Sequence, residues 1–228
     1  MSGYYLSILQ GAGLTVIVSL ASLAVSVVLG LLGAIAKLSG RAVPGTLAGM
    51  YTTLVRGVPD LVMMLLVFYG GTIGLNTLLE ALGSDATVDI EPFTAGVLTI
   101  GFIYGAYMTE TFRGAIMAVP KGQLEAARAY GMGRLQAFYR IVLPQMVRYA
   151  LPGFTNNWLV LIKTTALVSL IGLQEMTYIA KQASAATRSP FEFFLFTAAL
   201  FLLYTSASLW ALRRLSARFG LGVRRLEP

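Results

Sequence analysis

Long apolar runs alternate along the chain with short polar segments marked by glycine and proline. The first run, Gly11 to Ala36, carries no charge and is closed by Lys37 and Arg41. A second, Leu61 to Leu79, follows "YTTLVRGVPD" with Arg56 and Asp60, so its span starts near residue 57. The third covers Pro92 to Thr109 and continues through "ETFRGAIMAV" to near residue 116. The fourth, Tyr149 to Gln174, is broken only by Lys163, and the fifth, Phe193 to Leu212, is closed by Arg213 and Arg214. A spanning helix needs about 20 predominantly apolar residues. Continuous rather than alternating runs predict helices and not barrel strands. The pattern predicts an all-α membrane protein with five transmembrane helices, at 11–36, 57–79, 92–116, 149–174 and 193–212. Residues 1–10 then form an N-terminus outside the spans and 213–228 a basic tail.

Composition sharpens this reading. Of 228 residues, 57% are hydrophobic and only 12% charged, with mean hydropathy +0.74. Ordinary soluble domains are roughly 25% charged, and one soluble core of this size does not hide so much apolar surface. The net charge of +7 would suggest nucleic acid in a soluble protein. Here the basic residues flank the apolar runs, so they report topology and no nucleic-acid partner is expected. Lys37, Arg41 and Arg56 follow span one; Lys121, Arg128, Arg134, Arg140 and Arg148, with Arg113 nearby, lie between spans three and four. Arg213, Arg214, Arg218, Arg224 and Arg225 make up the tail's basic set. The loop after span two holds Glu80, Asp85, Asp89 and Glu91 with no base, and the loop after span four only Lys181 and Arg188. The asymmetry predicts an external N-terminus and a cytoplasmic C-terminus. The opening residues lack the basic segment and cleavage site of a signal peptide. Cysteine and histidine are absent, which excludes disulfides, thiolate chemistry and His-based metal or acid–base sites. With no P-loop and no G-x-S-x-G, no catalytic constellation and no cofactor site is expected.

One polar stretch stands out between spans three and four: "EAARAYGMGRLQAFYRIVLP", Glu125 to Pro144. It reads as two short helices hinged at Gly131 and Gly133. Leu135, Phe138, Tyr139 and Val142 share one face, flanked by Arg134 and Arg140. Pro144 ends or kinks the helix before the next span. The residues alone leave anionic membrane lipid or another protein as the partner of this face.

Ionisable residues inside spans are costly and hence functional candidates. Lys163 lies about 21 Å into span four at 1.5 Å per residue; it contacts a substrate carboxylate or the water-lined path, or locks helix packing through a buried ion pair or a carbonyl contact. Glu110 and Arg113, three apart on one face, suit a structural ion pair. Asp60 and Arg56 flank a Gly-Val-Pro break, where a kink lines a cavity. Glu175, at the outer end of span four, either meets an incoming cationic side chain or is a solvated loop acid. Asn156 and Asn157 line the path or hydrogen-bond between helices. Gly70, Gly71 and Gly74 are expected to allow close helix packing, and Tyr4, Tyr5, Phe191 and Phe193 to anchor at the interface.

Glu125, Ala126, Ala127, Gly131, Ile141, Leu143 and Pro144 fill every fixed position of E-A-A-x3-G-x9-I-x-L-P. This pattern resembles the cytoplasmic-loop signature of the membrane subunits of bacterial ABC importers. "RGVPDLVMMLLVFYGG", "GFIYGAYMTETFRGAIMAVPKGQLEAA" and "RYALPGFTNNWLVLIKTTALVSLIGL" resemble the polar-amino-acid uptake permeases. Within these they look like the Q-type subunits of histidine/lysine/arginine/ornithine importers, with the arginine/ornithine and octopine/nopaline permeases close by. Asp60 in "RGVPD", where most of the wider group has "RGTP" with no following acid, favours the basic-amino-acid branch. The resemblance implies a type I importer permease fold over 11–212, in the inner membrane, with a coupling loop at 117–148. That loop would dock, through the seven matched residues, in a cleft of an ATPase. It further implies a homologous M-type permease, two ATP-binding subunits and a periplasmic substrate-binding protein as partners. Glu175, Lys163, Asp60 and Asn157 are the candidates for the substrate path. An ion-coupled carrier acting alone would show inverted repeats, and a membrane-embedded enzyme would show His, Cys or clustered acids in the spans; neither pattern is seen.

Overall fold

A computed structural model describes residues 2–219. Arg224 and Arg225 of the basic tail lie outside the described residues. Helix α1 runs Ser2–Leu38, so residues 2–10 are its first turns rather than a preceding terminus. They are held because Tyr5 and Ile8 pack on the apolar faces of two late helices, α9 (Met176–Thr187) and α10 (Pro190–Phe219). Phe193 lies at the centre of this cluster, 0% exposed and in ring contact with Tyr4 and Tyr5. It is therefore a core residue and not an interfacial anchor, whereas Phe191 remains exposed.

Helix α5 (Pro92–Met117) is the centre of the bundle. It packs on α1 through glycines that let the two backbones approach. A Cβ on Gly30 would stand 2.5 Å from the Met108 Cβ, and one on Gly101 2.5 Å from Val25 Cγ1. Lipid tails are as apolar as the helices, so association here rests on close contact, which small residues permit. Gly70 and Gly74, expected to serve this purpose, face open space, and Gly71 meets only Ile90. The close-packing glycines are instead on α1 and α5. Four segments among the described residues are long and apolar enough to cross a membrane: 3–38, 60–81, 134–171 and 190–219. The third expected span is not among them. At 26 residues α5 is about 39 Å long, but it is enclosed by its neighbours and carries Gly, Thr and Tyr where a lipid-facing helix carries Leu and Ile.

The second span is preceded by a helix that the residue pattern leaves in a loop. Helix α2 (Ala42–Gly57) forms despite Pro44 and three glycines because it packs on α1 and α5, with the Tyr51 hydroxyl donating to the Phe102 carbonyl. It stops at Gly57; Val58 and Pro59 are extended, with ψ of 135° and 137°. The chain resumes as α3 (Asp60–Leu65), a π-helical turn (Leu66–Gly70) and α4 (Gly71–Ala81).

After α5 come α6 (Lys121–Ala129), α7 (Arg134–Ala137), a second π turn (Phe138–Val142) and α8 (Leu143–Thr164). Pro144 neither ends nor interrupts this run. It sits in the first turn of α8, and the π turn just before it rearranges the ladder in which its missing N–H would have bonded. The fourth apolar run is thus the later part of a helix that starts at Arg134, and Pro152 is also inside it. A 3₁₀ segment, Thr165–Ile171, closes the run at Gly172, whose φ of +91° suits glycine.

Contacts fix the directions. Val25 meets Gly101 and Gly30 meets Met108, so α1 and α5 run parallel. Thr164 bonds Tyr104 and Asn157 bonds Thr111, so α8 is antiparallel to α5. One end of the bundle gathers the N-terminus of α1, α9 and the acidic 80–91 loop. The other gathers Lys37, Glu110, the start of α8 and Leu215 of α10, together with most of the arginines.

Candidate functional site

The break at Val58–Pro59 lies beside the middle of α5. Tyr104, halfway along that helix, donates its hydroxyl to Asp60 Oδ2 at 3.2 Å and shares a 2.7 Å hydrogen bond with Thr164 Oγ1. Non-helical backbone at membrane depth is tolerated only where protein or a water-filled cavity covers it. Proline forces the break, and Asp60 then opens the next helix with its carboxylate at the N-terminal, positive end. Among the described residues no cation lies within ion-pair distance of Asp60. The arrangement is a half-buried carboxylate held by a tyrosine beside the middle of α5.

Lys163 is not part of this cluster. Thr164 turns toward Tyr104, while the exposed Lys163 points the other way, into a cavity of ≈440 Å³ shared with Ala166, Phe201 and Thr205. No carboxylate pairs with it among the described residues, so the packing ion pair expected as one alternative is not formed. Asn157 is buried, donating to Thr111 Oγ1 at 3.0 Å, and ties α8 to α5; Asn156 is exposed. Glu175 is neither a solvated acid nor presented to an incoming solute. At 1% exposure it caps α9, accepting from the Tyr178 N–H at 2.9 Å and from the Thr15 hydroxyl at 3.0 Å. Burial pushes its carboxyl up, and those hydrogen bonds hold it back. Gly11 makes this seat possible, since a Cβ there would lie 3.0 Å from the Met176 nitrogen.

At the basic end Arg113 Nε donates to Glu110 at 2.9 Å, joining the two residues whose spacing suggested it. Lys37, which sequence reasoning counted only as a topology charge, also pairs with Glu110 and donates to Thr52 Oγ1 at 2.6 Å. Its partner is 73 residues away, and nothing in local spacing announces it.

The segment 117–148 is a folded element. Helix α6 ends in a left-handed turn: Gly131 has φ +74°, its N–H bonds the Arg128 carbonyl, and the Met132 N–H bonds that of Ala127. Ala127 and Ala137 are buried, α6 packs against the α7–π segment, and a 2.7 Å hydrogen bond from Gln145 to Gln123 ties α6 to the first turn of α8. Glu125 and Ala126 lie on the exposed side. Among the matched residues Ile141 and Leu143 are half-buried and Pro144 is exposed. Of the face expected to be apolar, only Val142 turns inward. Tyr130, Leu135 and Tyr139 are 86%, 70% and 59% exposed.

A parallel-and-antiparallel helical bundle with a broken intramembrane helix and an exposed helical hairpin at its basic end defines a permease-type membrane domain. Residues 26–220 match the family of binding-protein-dependent transport system inner membrane components, and the chain belongs to that family. It is 50% identical over 220 residues, 96% of each chain, to the histidine/lysine/arginine/ornithine transport system permease protein HisQ of Escherichia coli (strain K12). It is 41% identical over 223 residues to the octopine transport system permease protein OccQ of Rhizobium radiobacter, covering 98% of this chain and 94% of that one. A solved amino acid ABC transporter, determined with histidines, superposes with a TM-score of 0.80 at 30% identity over 96% of both chains. The inward-facing MetNI methionine ABC transporter matches at TM-score 0.66 and 14% identity, covering 93% of this chain and 94% of its own, which shows the shared fold.

Proposed function

We propose that this chain is one permease subunit of an ATP-driven importer for basic amino acids of the histidine, lysine, arginine and ornithine type. The observation that carries the substrate class is Asp60: a carboxylate at membrane depth, free of any cation among the described residues and oriented by Tyr104. A carboxylate so placed favours a cationic side chain over a neutral one. The relative named for those four amino acids supports the reading; the octopine permease relative supports an opine-type cargo as the second reading. In this reading the chain has five spans, with α5 as the third, an external N-terminus and a cytoplasmic C-terminus; the opposed directions of α5 and α8 and the arginine-rich end support it.

A second, homologous permease completes the path. It meets α8 along the stripe of Asn156, Val160 and Lys163, because an exposed lysine at the level of Tyr104 does not face lipid. The 117–148 element docks its exposed side, with Glu125 and Ala126, on an ATP-binding subunit, and a periplasmic protein delivers the cargo. Closure of the ATPase pair then shifts the bundle between inward- and outward-facing states.

The test is radiolabelled arginine uptake into proteoliposomes holding the full complex, with and without ATP, in wild type and Asp60→Asn. ATP-dependent uptake is expected, with cationic preference weakened at least tenfold in the variant. Uptake that persists without the ATPase would assign the chain to an ion-coupled carrier. An unchanged preference would remove Asp60 from the path, and octopine outcompeting arginine would favour the opine reading.

A further inference from the structure

Helix α2 separates two cavities of opposite character. The side carrying Thr52, Thr53 and Arg56 faces a polar one of ≈570 Å³, shared with Tyr107 and Glu110. The side carrying Pro44, Leu47, Tyr51 and Leu54 faces a larger one, ≈730 Å³, between α2 and α1. Tyr51 alone in its lining carries a polar side-chain atom, and that hydroxyl is spent on the Phe102 carbonyl. Water stays in a cavity only where polar partners hold it, and this groove offers none. On α5, Phe102, which lines the groove, stands on the opposite face from Tyr104 and Thr111, the residues that meet α8. The groove therefore opens away from Asp60 and from the α8 face proposed to meet a second permease.

In a membrane such a groove fills with hydrocarbon, and its depth suits one leaflet. From Pro44 at its shallow end to Val55, α2 rises about 16 Å, half of a bilayer's roughly 30 Å core. Met63, beyond the break at Val58–Pro59, also lines the groove, so one occupant touches α2 and α3 together. The gain from an acyl chain alone is small, because bulk lipid is as apolar as Leu47 and Leu54. Selection has to come from the head. Arg41 stands at the mouth, immediately before α2; it is exposed, and among the described residues no carboxylate lies within ion-pair distance of it. Lys37, the other cation nearby, is already held by Glu110. We infer that the α1–α2 groove binds an anionic phospholipid of the leaflet at the basic end, with one acyl chain in the groove and the headgroup phosphate on Arg41. The guanidinium fork matches a phosphate with two parallel hydrogen bonds, and a cation at the membrane surface favours a head of net negative charge. Neither the cargo nor Asp60 enters this assignment, which needs only that the chain lies in a membrane.

The experiment places the full complex in nanodiscs of phosphatidylglycerol and phosphatidylcholine, one or the other carrying a photoreactive diazirine in its acyl chain. Crosslinked residues of this chain are mapped by mass spectrometry. Phosphatidylglycerol is expected to label Leu47, Leu54 and Met63 about fivefold or more above Leu195 and Leu203, which are exposed on α10; phosphatidylcholine should show no such excess. Arg41→Ala is expected to lower groove labelling by phosphatidylglycerol about fivefold, the share of one basic residue at a membrane surface, and to leave labelling of α10 unchanged. Arg41→Lys should keep most of the excess. Ala36→Phe, which fills the shallow end, is expected to abolish groove labelling by both lipids; should that variant fail to assemble, Arg41→Ala decides alone. Uniform labelling of the groove and α10 in wild type would mark annular lipid only and overturn the proposal. So would a groove that stays unlabelled, as one covered by a second permease would, or labelling by both lipids that Arg41→Ala does not change. Arginine uptake is not read, so failure here leaves the role of Asp60 untouched.

Discussion

Single residues here separate into those that hold two helices together and those that face outward. Gly101 is of the first kind, with Val25 Cγ1 2.5 Å and the Ser22 carbonyl 3.3 Å from any added Cβ. Gly101→Ala forces α1 and α5 apart, and an overpacked site costs about 1–3 kcal/mol. A melting temperature lowered by several degrees in detergent is expected, against no change for Gly74→Ala, which meets open space. Gly74 belongs to the "GG..G" cluster visible in the sequence, yet the spacing of small residues does not say which face a neighbour will cover. Glu175 teaches the same lesson: its position at the end of an apolar run was legible, its burial under Thr15 and Gly11 was not, because those residues lie some 160 positions away. Its loss removes a helix cap worth about 1 kcal/mol. Glu175→Ala is therefore expected to lower thermal stability and leave selectivity for cationic over neutral amino acids unchanged, as competition uptake would show.

At the scale of elements, long apolar runs were the most legible feature and short capped helices the least. Helix α2 hides in "RAVPGTLAGMYTTLVRG", whose proline, glycines and threonines weaken any local helical signal; tertiary packing on α5 overrides propensity. Helix α9 has a readable N-cap in Glu175 and an alanine-rich body, signals obscured by its polar composition. The 117–148 element was legible as two hinged helices, because the left-handed turn needs Gly131 and the chain supplies it. Gly131→Val is expected to cost about 1–2 kcal/mol locally and to swing α6 relative to α7. Membrane insertion should persist while ATPase association, measured by co-purification, falls. Glu125→Arg is expected to weaken the same association with the turn intact. Normal co-purification of that variant would place the docking surface elsewhere.

For the whole molecule, the absence of cysteine makes topology directly measurable. Single cysteines at Ser84 in the acidic loop and at Gly133 in the basic hairpin are expected to label oppositely in intact cells with a membrane-impermeant maleimide. Ser84→Cys should react and Gly133→Cys only after permeabilisation; the reverse pattern would invert the proposed orientation. The contact between α1 and α5 bears on motion as well as on cohesion. With glycine meeting Met108, Val25 and Leu29 directly, no layer of side chains separates these backbones for one to slide over the other. The pair is a rigid beam, and the breaks in the helices lie elsewhere, at Val58–Pro59 and Gly172. A pair of spin labels spanning that beam should therefore report one constant distance through a transport cycle, an internal ruler against which every moving helix of the assembly can be measured.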